Sequence, residues 1–122
     1  MSLVARHLEE NGIATLLVGC ARDIVEECGV PRFLFSDFPL GNPCGRPHDT
    51  EMQHRIVGLA LDLLESAALP RTTVQTPYLW SEDETWKERY ARVDPENAEK
   101  LRVMGEARRA RQRQASATTS HR

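Results

Sequence analysis

The sequence lacks any long hydrophobic run. No apolar stretch approaches the roughly 20 residues that a membrane-spanning helix needs. The amino terminus, MSLVARHLEE, carries acidic residues where a secretory signal peptide has a basic start and an uninterrupted apolar segment. We therefore expect no membrane partner and a cytoplasmic location.

Cysteine is also scarce, with three residues among 122. An odd number at irregular spacing argues against a disulfide framework and fits a reducing compartment. The three cysteines and His48 match no paired-ligand zinc pattern. The loop around Gly19 has one glycine where the dinucleotide fingerprint needs three. We therefore expect neither a metal nor a cofactor.

The charge is unevenly distributed along the chain. Residues 1–85 carry a net charge of −7 and residues 86–122 a net charge of +5. The basic run at 108–113 lacks interleaved aromatic residues and any recognition motif, so a solvated helix end explains it better than nucleic-acid binding does. We expect no nucleic-acid partner.

Helix and strand patterns alternate through the first half of the chain. The spacing of apolar residues predicts helices over 2–11, 21–28 and 50–67, and apolar runs predict strands over 13–18 and 32–35, with a third strand at 72–75. Thr50 and Gln53 predict a capping box at the start of the longest helix. Asp94 and Pro95 predict the start of a polar tail helix that reaches about Gln114.

This order predicts an α/β fold: a partial parallel sheet of Rossmann or flavodoxin type in an αβαβα body, plus a mostly helical carboxyl-terminal tail. We expect a partial α/β domain over 1–79, a helical tail packing on it over 80–114, and disorder over 115–122. Two or three strands make a small sheet with open edges. The remaining strands are therefore expected upstream, in a partner subunit or in a second copy.

Ligands bind outside the carboxyl ends of the strands in such sheets. The loops that leave those ends hold Cys20 and, over 36–47, Cys44. Cys44 lies before a helix whose N–H groups, with Arg46 and His48, favour a thiolate, although a small packing residue explains it equally. Cys20 fits either a site or close helix–strand packing. Asp37 ends the second strand, where it either contacts substrate or caps the loop backbone.

Five segments carry a family resemblance. They are VARHLE at 4–9, GIAT at 12–15, ARDIVE at 21–26, VPRFLF at 30–35 and, most specific, DFPLGNPCGRP at 37–47. Over residues 2–70 the chain resembles the selenoprotein B-type subunit of the glycine/sarcosine/betaine/D-proline reductase family.

The resemblance implies reductive chemistry on carbon–nitrogen bonds, or a related thiol-dependent reduction. The family's redox centre is a selenocysteine or cysteine followed three positions later by another cysteine, and it precedes the helix that corresponds to 2–11. No residue here matches that dyad. The loop 41–45 is expected to face the dyad and shape the substrate pocket, with Cys44 as the catalytic candidate and Asp37, Asn42, Gly45 and Cys20 as pocket candidates.

Three explanations for the missing dyad stay open. The start site lies too late, the upstream half is a separate polypeptide, or the chain is a remnant without activity. The function expected first is that of an oxidoreductase fragment or subunit, inactive alone. The alternative is a non-catalytic interaction module.

Overall fold

The computed structural model describes residues 1–90 and 92–119. The chain divides into two units, Met1–Lys87 and Glu88–Arg122. The elements, in chain order, are α1 (Ser2–Glu10), β1 (Leu17–Gly19), α2 (Arg22–Glu27), β2 (Arg32–Phe35), α3 (Thr50–Ser66), β3 (Thr72–Gln75), α4 (Thr85–Arg89) and α5 (Ala98–Thr119).

The first unit is built on a three-stranded parallel sheet in the order β1-β2-β3. Leu17 pairs with Phe33 in the first ladder, and Arg32 pairs with Thr72 in the second. α2 after β1, and the loop with α3 after β2, return the chain to the other end of the sheet, as parallel pairing requires. The predicted α/β class with a partial parallel sheet and a helical carboxyl-terminal segment is confirmed.

The core lies between the sheet and α3. Leu34 and Ile56 are fully buried there, and they cluster with Phe38, Met52 and Leu63. Side chains alternate between the faces of a strand, so Phe33 and Phe35 face the opposite layer. Arg22 of α2 lies over the ring of Phe35 at 5.9 Å, which places α2 on that second face.

β1 begins four residues later than the apolar run from Ile13 predicts. Glu9 of α1 explains this difference. Its carboxylate accepts hydrogen bonds from both the backbone N–H and the hydroxyl of Thr15. These bonds hold Thr15 against α1, so the residues before Leu17 connect helix and strand and do not extend the ladder.

Glu9 also pairs with Arg32 of β2 at 2.7 Å, and both side chains are mostly buried. The Thr15 backbone N–H is the largest cause of the lowered pKa of Glu9, and Arg32 adds to it. A carboxylate with a lowered folded-state pKa stabilises the fold above its unfolded-state pKa, about 4.3, and this contribution disappears as the pH falls through the folded-state pKa.

We therefore expect Glu9→Gln to lower the melting temperature at pH 7 and to have a smaller effect at pH 3. Glu10→Gln is the control, because that neighbouring side chain is exposed on the same helix. Thermal unfolding of the three proteins at both pH values measures the difference. Equal losses for Glu9→Gln at pH 7 and pH 3 would contradict the assignment.

The start of α3 differs from the predicted capping box at Thr50. Asp49 is the N-cap, and its carboxylate accepts from the Met52 N–H at 3.1 Å. That bond, assisted by Arg46 at 2.9 Å, lowers the pKa of Asp49. Gln53 donates its side-chain amide to the Arg46 carbonyl. The Asp49 carboxylate therefore caps the helix, one residue before the Thr50 hydroxyl that the sequence predicts as the cap.

The second unit contains α5. α5 begins at Ala98, three residues after the start at Pro95 that the sequence predicts, and the Asp94 carboxylate accepts from the backbone N–H groups of Glu96 and Asn97 in the turn before it. α5 reaches Thr119, beyond the end expected near Gln114, and residues 120–122 of the segment predicted to be disordered lie outside the described residues. No helix in the described part of the chain is long and apolar enough to cross a bilayer.

Candidate functional site

The carboxyl ends of β1 and β2 meet at Ser36, which is fully buried. Its backbone N–H donates to the Gly19 carbonyl at 2.9 Å, the next bond beyond the β1–β2 ladder. Its hydroxyl donates to the Pro43 carbonyl, also at 2.9 Å. One side chain and its own backbone thus connect the end of β1 to the loop that follows β2.

The loop 36–47 is held by its own turns. Phe38 N–H donates to the Ser36 carbonyl at 2.8 Å, and Asn42 N–H donates to the Pro39 carbonyl at 3.1 Å. The Phe38 ring is buried and packs on Trp80, with ring centroids 5.6 Å apart. The loop is therefore attached to the core at Phe38 while its tip remains exposed.

Cys20 lies half-buried directly after β1. Burial raises the pKa of its thiol, and the backbone N–H groups of Asn42 and Phe38 act against that effect. The charges of Cys44 and Asp37 raise this pKa further. The structure therefore brings four of the sequence-predicted site residues, Cys20, Asp37, Asn42 and Cys44, to the same end of the sheet.

Cys44 is exposed in the loop between Pro43 and the start of α3. From the sequence, we expected Arg46 to favour the Cys44 thiolate. In the structure, the Arg46 guanidinium donates its hydrogen bonds to the Asp49 carboxylate. The Cys44 thiol is exposed, and the hydrogen bond from Ser36 to the Pro43 carbonyl fixes the backbone beside it. Cys44 is therefore more accessible to solvent than Cys20.

Gly45, predicted to line the pocket, is buried beneath the loop. Its φ is +110°, and a Cβ at this position would lie 3.1 Å from Met52 Cγ and 3.4 Å from Ile56 Cδ1. Glycine is the residue that such a conformation and such a close contact allow. Its position indicates that Gly45 allows the loop to turn onto α3.

Asp37 forms an ion pair with Lys87, whose Nζ lies 2.7 Å from Oδ2. Lys87 also contacts Glu84 at 3.2 Å and lies 5.9 Å from the centre of the Trp86 ring. The hydrogen bond to Asp37 is the largest cause of the raised pKa of Lys87. Sequence reasoning missed Lys87, because it lies fifty residues from its partner and no local pattern connects the two.

A shallow cleft of about 200 Å³ lies beside the loop, lined by Arg46, Asp49, Glu51, Met52, Arg55 and Tyr78. Within residues 1–90 and 92–119, no three histidine, cysteine, aspartate or glutamate side chains gather closely enough to hold a metal ion. The chemistry that the arrangement supports is that of thiols, with an acid–base pair beside them.

One curated relative is similar to the chain. D-proline reductase subunit gamma of Acetoanaerobium sticklandii is 32% identical over 76 residues, which are 62% of this chain and 31% of that protein. The chain thus matches about a third of its relative's length. No protein-family model and no solved structure matches the chain. The similarity agrees with the resemblance at the level of a reductase subunit, and it is distant and partial.

Proposed function

We propose that the chain is a component of a thiol-dependent reductase complex and that the end of the sheet at Cys20, Asp37, Asn42 and Cys44 forms part of its active site. The observation that carries this proposal is the convergence of two thiols with the Asp37–Lys87 pair at the ligand-binding end of a parallel sheet. The similarity to a D-proline reductase subunit supports the same assignment.

In this proposal, the charged pair recognises the substrate. An amino acid carries an ammonium group and a carboxylate, and Asp37 and Lys87 present the complementary charges. Both side chains are partly exposed, so they can exchange their mutual contact for contacts with a zwitterion. D-proline is the first substrate to test, because the relative is named for it.

The redox dyad of the complete enzyme comes from another segment or subunit in this proposal. A selenolate or thiolate there attacks the substrate, and a second thiol resolves the intermediate. Cys44, at the exposed surface of the loop, is the residue of this chain that faces the reacting groups.

Substitution of Cys44 in the assembled complex tests this function. We expect Cys44→Ser to lower dithiol-dependent D-proline reduction by at least about tenfold, equivalent to about 1.4 kcal/mol of transition-state stabilisation. Cys28→Ser is the matched control, because Cys28 lies at the end of α2, away from the carboxyl ends of the strands. Equal activity of the two variants would exclude Cys44 from the active site.

The alternative function, a non-catalytic interaction module, is favoured by the open edge of β1. The Gly19 carbonyl accepts from Ser36 of β2, so the backbone groups of Val18, one residue earlier, point toward the open edge. Between α1 and β1, an apolar groove of about 270 Å³ borders this edge, lined by Met1, Val4, Ala5, Leu8, Thr15, Leu16, Leu17 and Val18.

The layer of α3 is also apolar on the side of β1. Arg55 lines a cleft with Tyr78, which follows β3, so the Arg55 flank of α3 faces the β3 side. Successive helix residues are about 100° apart, and Val57 and Leu61 therefore project from the other flank, where both are exposed. An open strand with exposed apolar residues of α1 and α3 near it suits a partner subunit that adds a parallel strand.

Charges placed on these flanks test the docking. We expect Val4→Asp and Leu61→Asp each to weaken binding of the reductase partner subunit by at least about tenfold, because an unpaired charge is buried on association. Leu69→Asp is the control, since Leu69 is also an exposed apolar residue but precedes β3. Equal binding by all three variants, measured by calorimetry, would exclude this edge as the docking site. Loss of self-association in Val4→Asp and Leu61→Asp would instead mean that a second copy of the chain binds there.

A further inference from the structure

Cys20 and Cys44 are held around the same residue. Gly19, next to Cys20, accepts from the Ser36 N–H, and Pro43, next to Cys44, accepts from the Ser36 hydroxyl, each at 2.9 Å. A disulfide requires Cα atoms about 4.4–6.8 Å apart. Two hydrogen bonds through one buried residue hold the backbones beside both cysteines close to each other, although 24 positions separate them in the sequence.

The two thiols also differ in accessibility. Cys44 is exposed and Cys20 is half-buried beneath the loop, where the charge of Cys44 acts on it. Burial raises the pKa of the Cys20 thiol, and the backbone N–H groups of Asn42 and Phe38 offset part of that effect. An exposed thiol that receives an incoming sulfur, with a sheltered thiol behind it, is the arrangement needed for thiol–disulfide exchange.

We propose that Cys20 and Cys44 are a redox-active dithiol, in which Cys44 exchanges with an external disulfide and Cys20 resolves the mixed disulfide. This inference deepens the proposed function and relies on it only for the physiological source and destination of the electrons.

The exchange balances as follows. The Cys44 thiolate attacks one sulfur of an external disulfide, forming a mixed disulfide and releasing one thiolate. The Cys20 thiolate then attacks the Cys44 sulfur, forming the intramolecular disulfide and releasing the second thiolate. The two thiol protons pass to the two leaving thiolates, and the external disulfide gains two electrons. Reduction by an external dithiol reverses both steps.

Cys28 provides the internal comparison. It ends α2, and its carbonyl accepts from Arg6 of α1, so it lies near the end of the sheet where β2 begins. Neither Cys20 nor Cys44 shares a hydrogen-bonded neighbour with it in the described residues. Of the three possible pairs, the geometry supports Cys20 with Cys44.

The test uses the full chain, folded, with oxidised glutathione as the probe. We expect oxidation to remove the mass of two hydrogen atoms and peptide mapping to recover Cys20–Cys44 at least about tenfold in excess over either pair with Cys28. Cys28→Ser should behave like the natural chain. Cys20→Ser should stop at a glutathione adduct on Cys44, and Cys44→Ser should form little adduct because its remaining thiols are half-buried.

Circular dichroism of each variant establishes that the fold is retained, and repetition in denaturant should abolish the preference for one pair. Statistical pairing in the folded chain, or glutathione adducts on Cys20 and Cys44 without closure, would overturn the dithiol. Such a result would leave the reductase assignment intact, because that assignment depends on the activity of the complex. Formation of the Cys20–Cys44 disulfide by a chain whose complex has no reductase activity would support the dithiol and contradict the reductase assignment.

Discussion

Gly45→Ala is expected to lower the free energy of unfolding of the first unit by about 3 kcal/mol, the largest effect of any single methyl group added to the site. The φ of +110° is strained for any residue with a side chain, and the new Cβ would lie 3.1 Å from Met52 Cγ and 3.2 Å from its sulfur. Part of the loss is backbone strain and part is overpacking. Denaturant unfolding monitored by circular dichroism measures the total.

Gly41→Ala separates the two contributions. Gly41 has a φ of +97° in the same loop, but a Cβ there meets nothing within 4 Å. We expect this variant to lose about 1–2 kcal/mol, the cost of the backbone conformation alone. Equal losses in the two variants would show that the contact between the loop and Met52 is looser than the structure gives.

Ser36→Ala is expected to cost about 1–3 kcal/mol. The hydroxyl is fully buried, and its removal leaves the Pro43 carbonyl without its donor and the Thr76 hydroxyl, 3.5 Å away, without its acceptor. The same variant should slow closure of the Cys20–Cys44 disulfide, because the loop loses its attachment to the end of β2.

Thr76→Val is the control for Ser36→Ala. It removes a buried hydroxyl from the same cluster but leaves the bond between Ser36 and Pro43 intact. We expect it to lower stability while the rate of disulfide closure in the folded chain stays unchanged. Equal slowing in both variants would mean that general loosening, and not the Ser36 bond, controls the distance between the thiols.

Strong local patterns predicted much of the fold. The bounds of β2 and β3 were predicted as the structure has them, and those of α3 to within one residue. An apolar run defines β2, and a wide apolar stripe defines α3. The start of β1 was wrong, since the Glu9 carboxylate binds Thr15 and apolar pattern carries no information about that contact. The cap of α3 was misplaced by one residue because hydroxyl and carboxylate caps compete at adjacent positions.

The candidate site was predictable only where topology alone determines it. Parallel strands place Cys20 and the loop after β2 at one edge, so their convergence follows from the order of elements. The roles of Ser36 and Lys87 depend on contacts between distant residues, seven and fifty positions apart in the sequence. Gly45 was expected in the pocket, and its burial against Met52 follows from the turn that the loop makes into α3.

Docking at the β1 edge is compatible with the proposed active site in one assembly. The β1 edge and the carboxyl ends of β1 and β2 are adjacent parts of the same sheet. A partner strand added beside β1 would end close to Cys20, so a subunit that docks there could carry reacting groups to the thiols. Docking and catalysis would then both fail when the edge is blocked, whereas Cys44→Ser would affect catalysis alone.

The most direct test of the central claim is the activity of the native assembly. The tagged chain, isolated under non-denaturing conditions from its own cells, would be assayed for reduction of D-proline and other amino acids with a dithiol as electron donor. We expect reductase activity that co-purifies with the tag and is lost when the partner is dissociated. A stable assembly that contains the chain, yet reduces none of these substrates, would contradict the reductase assignment.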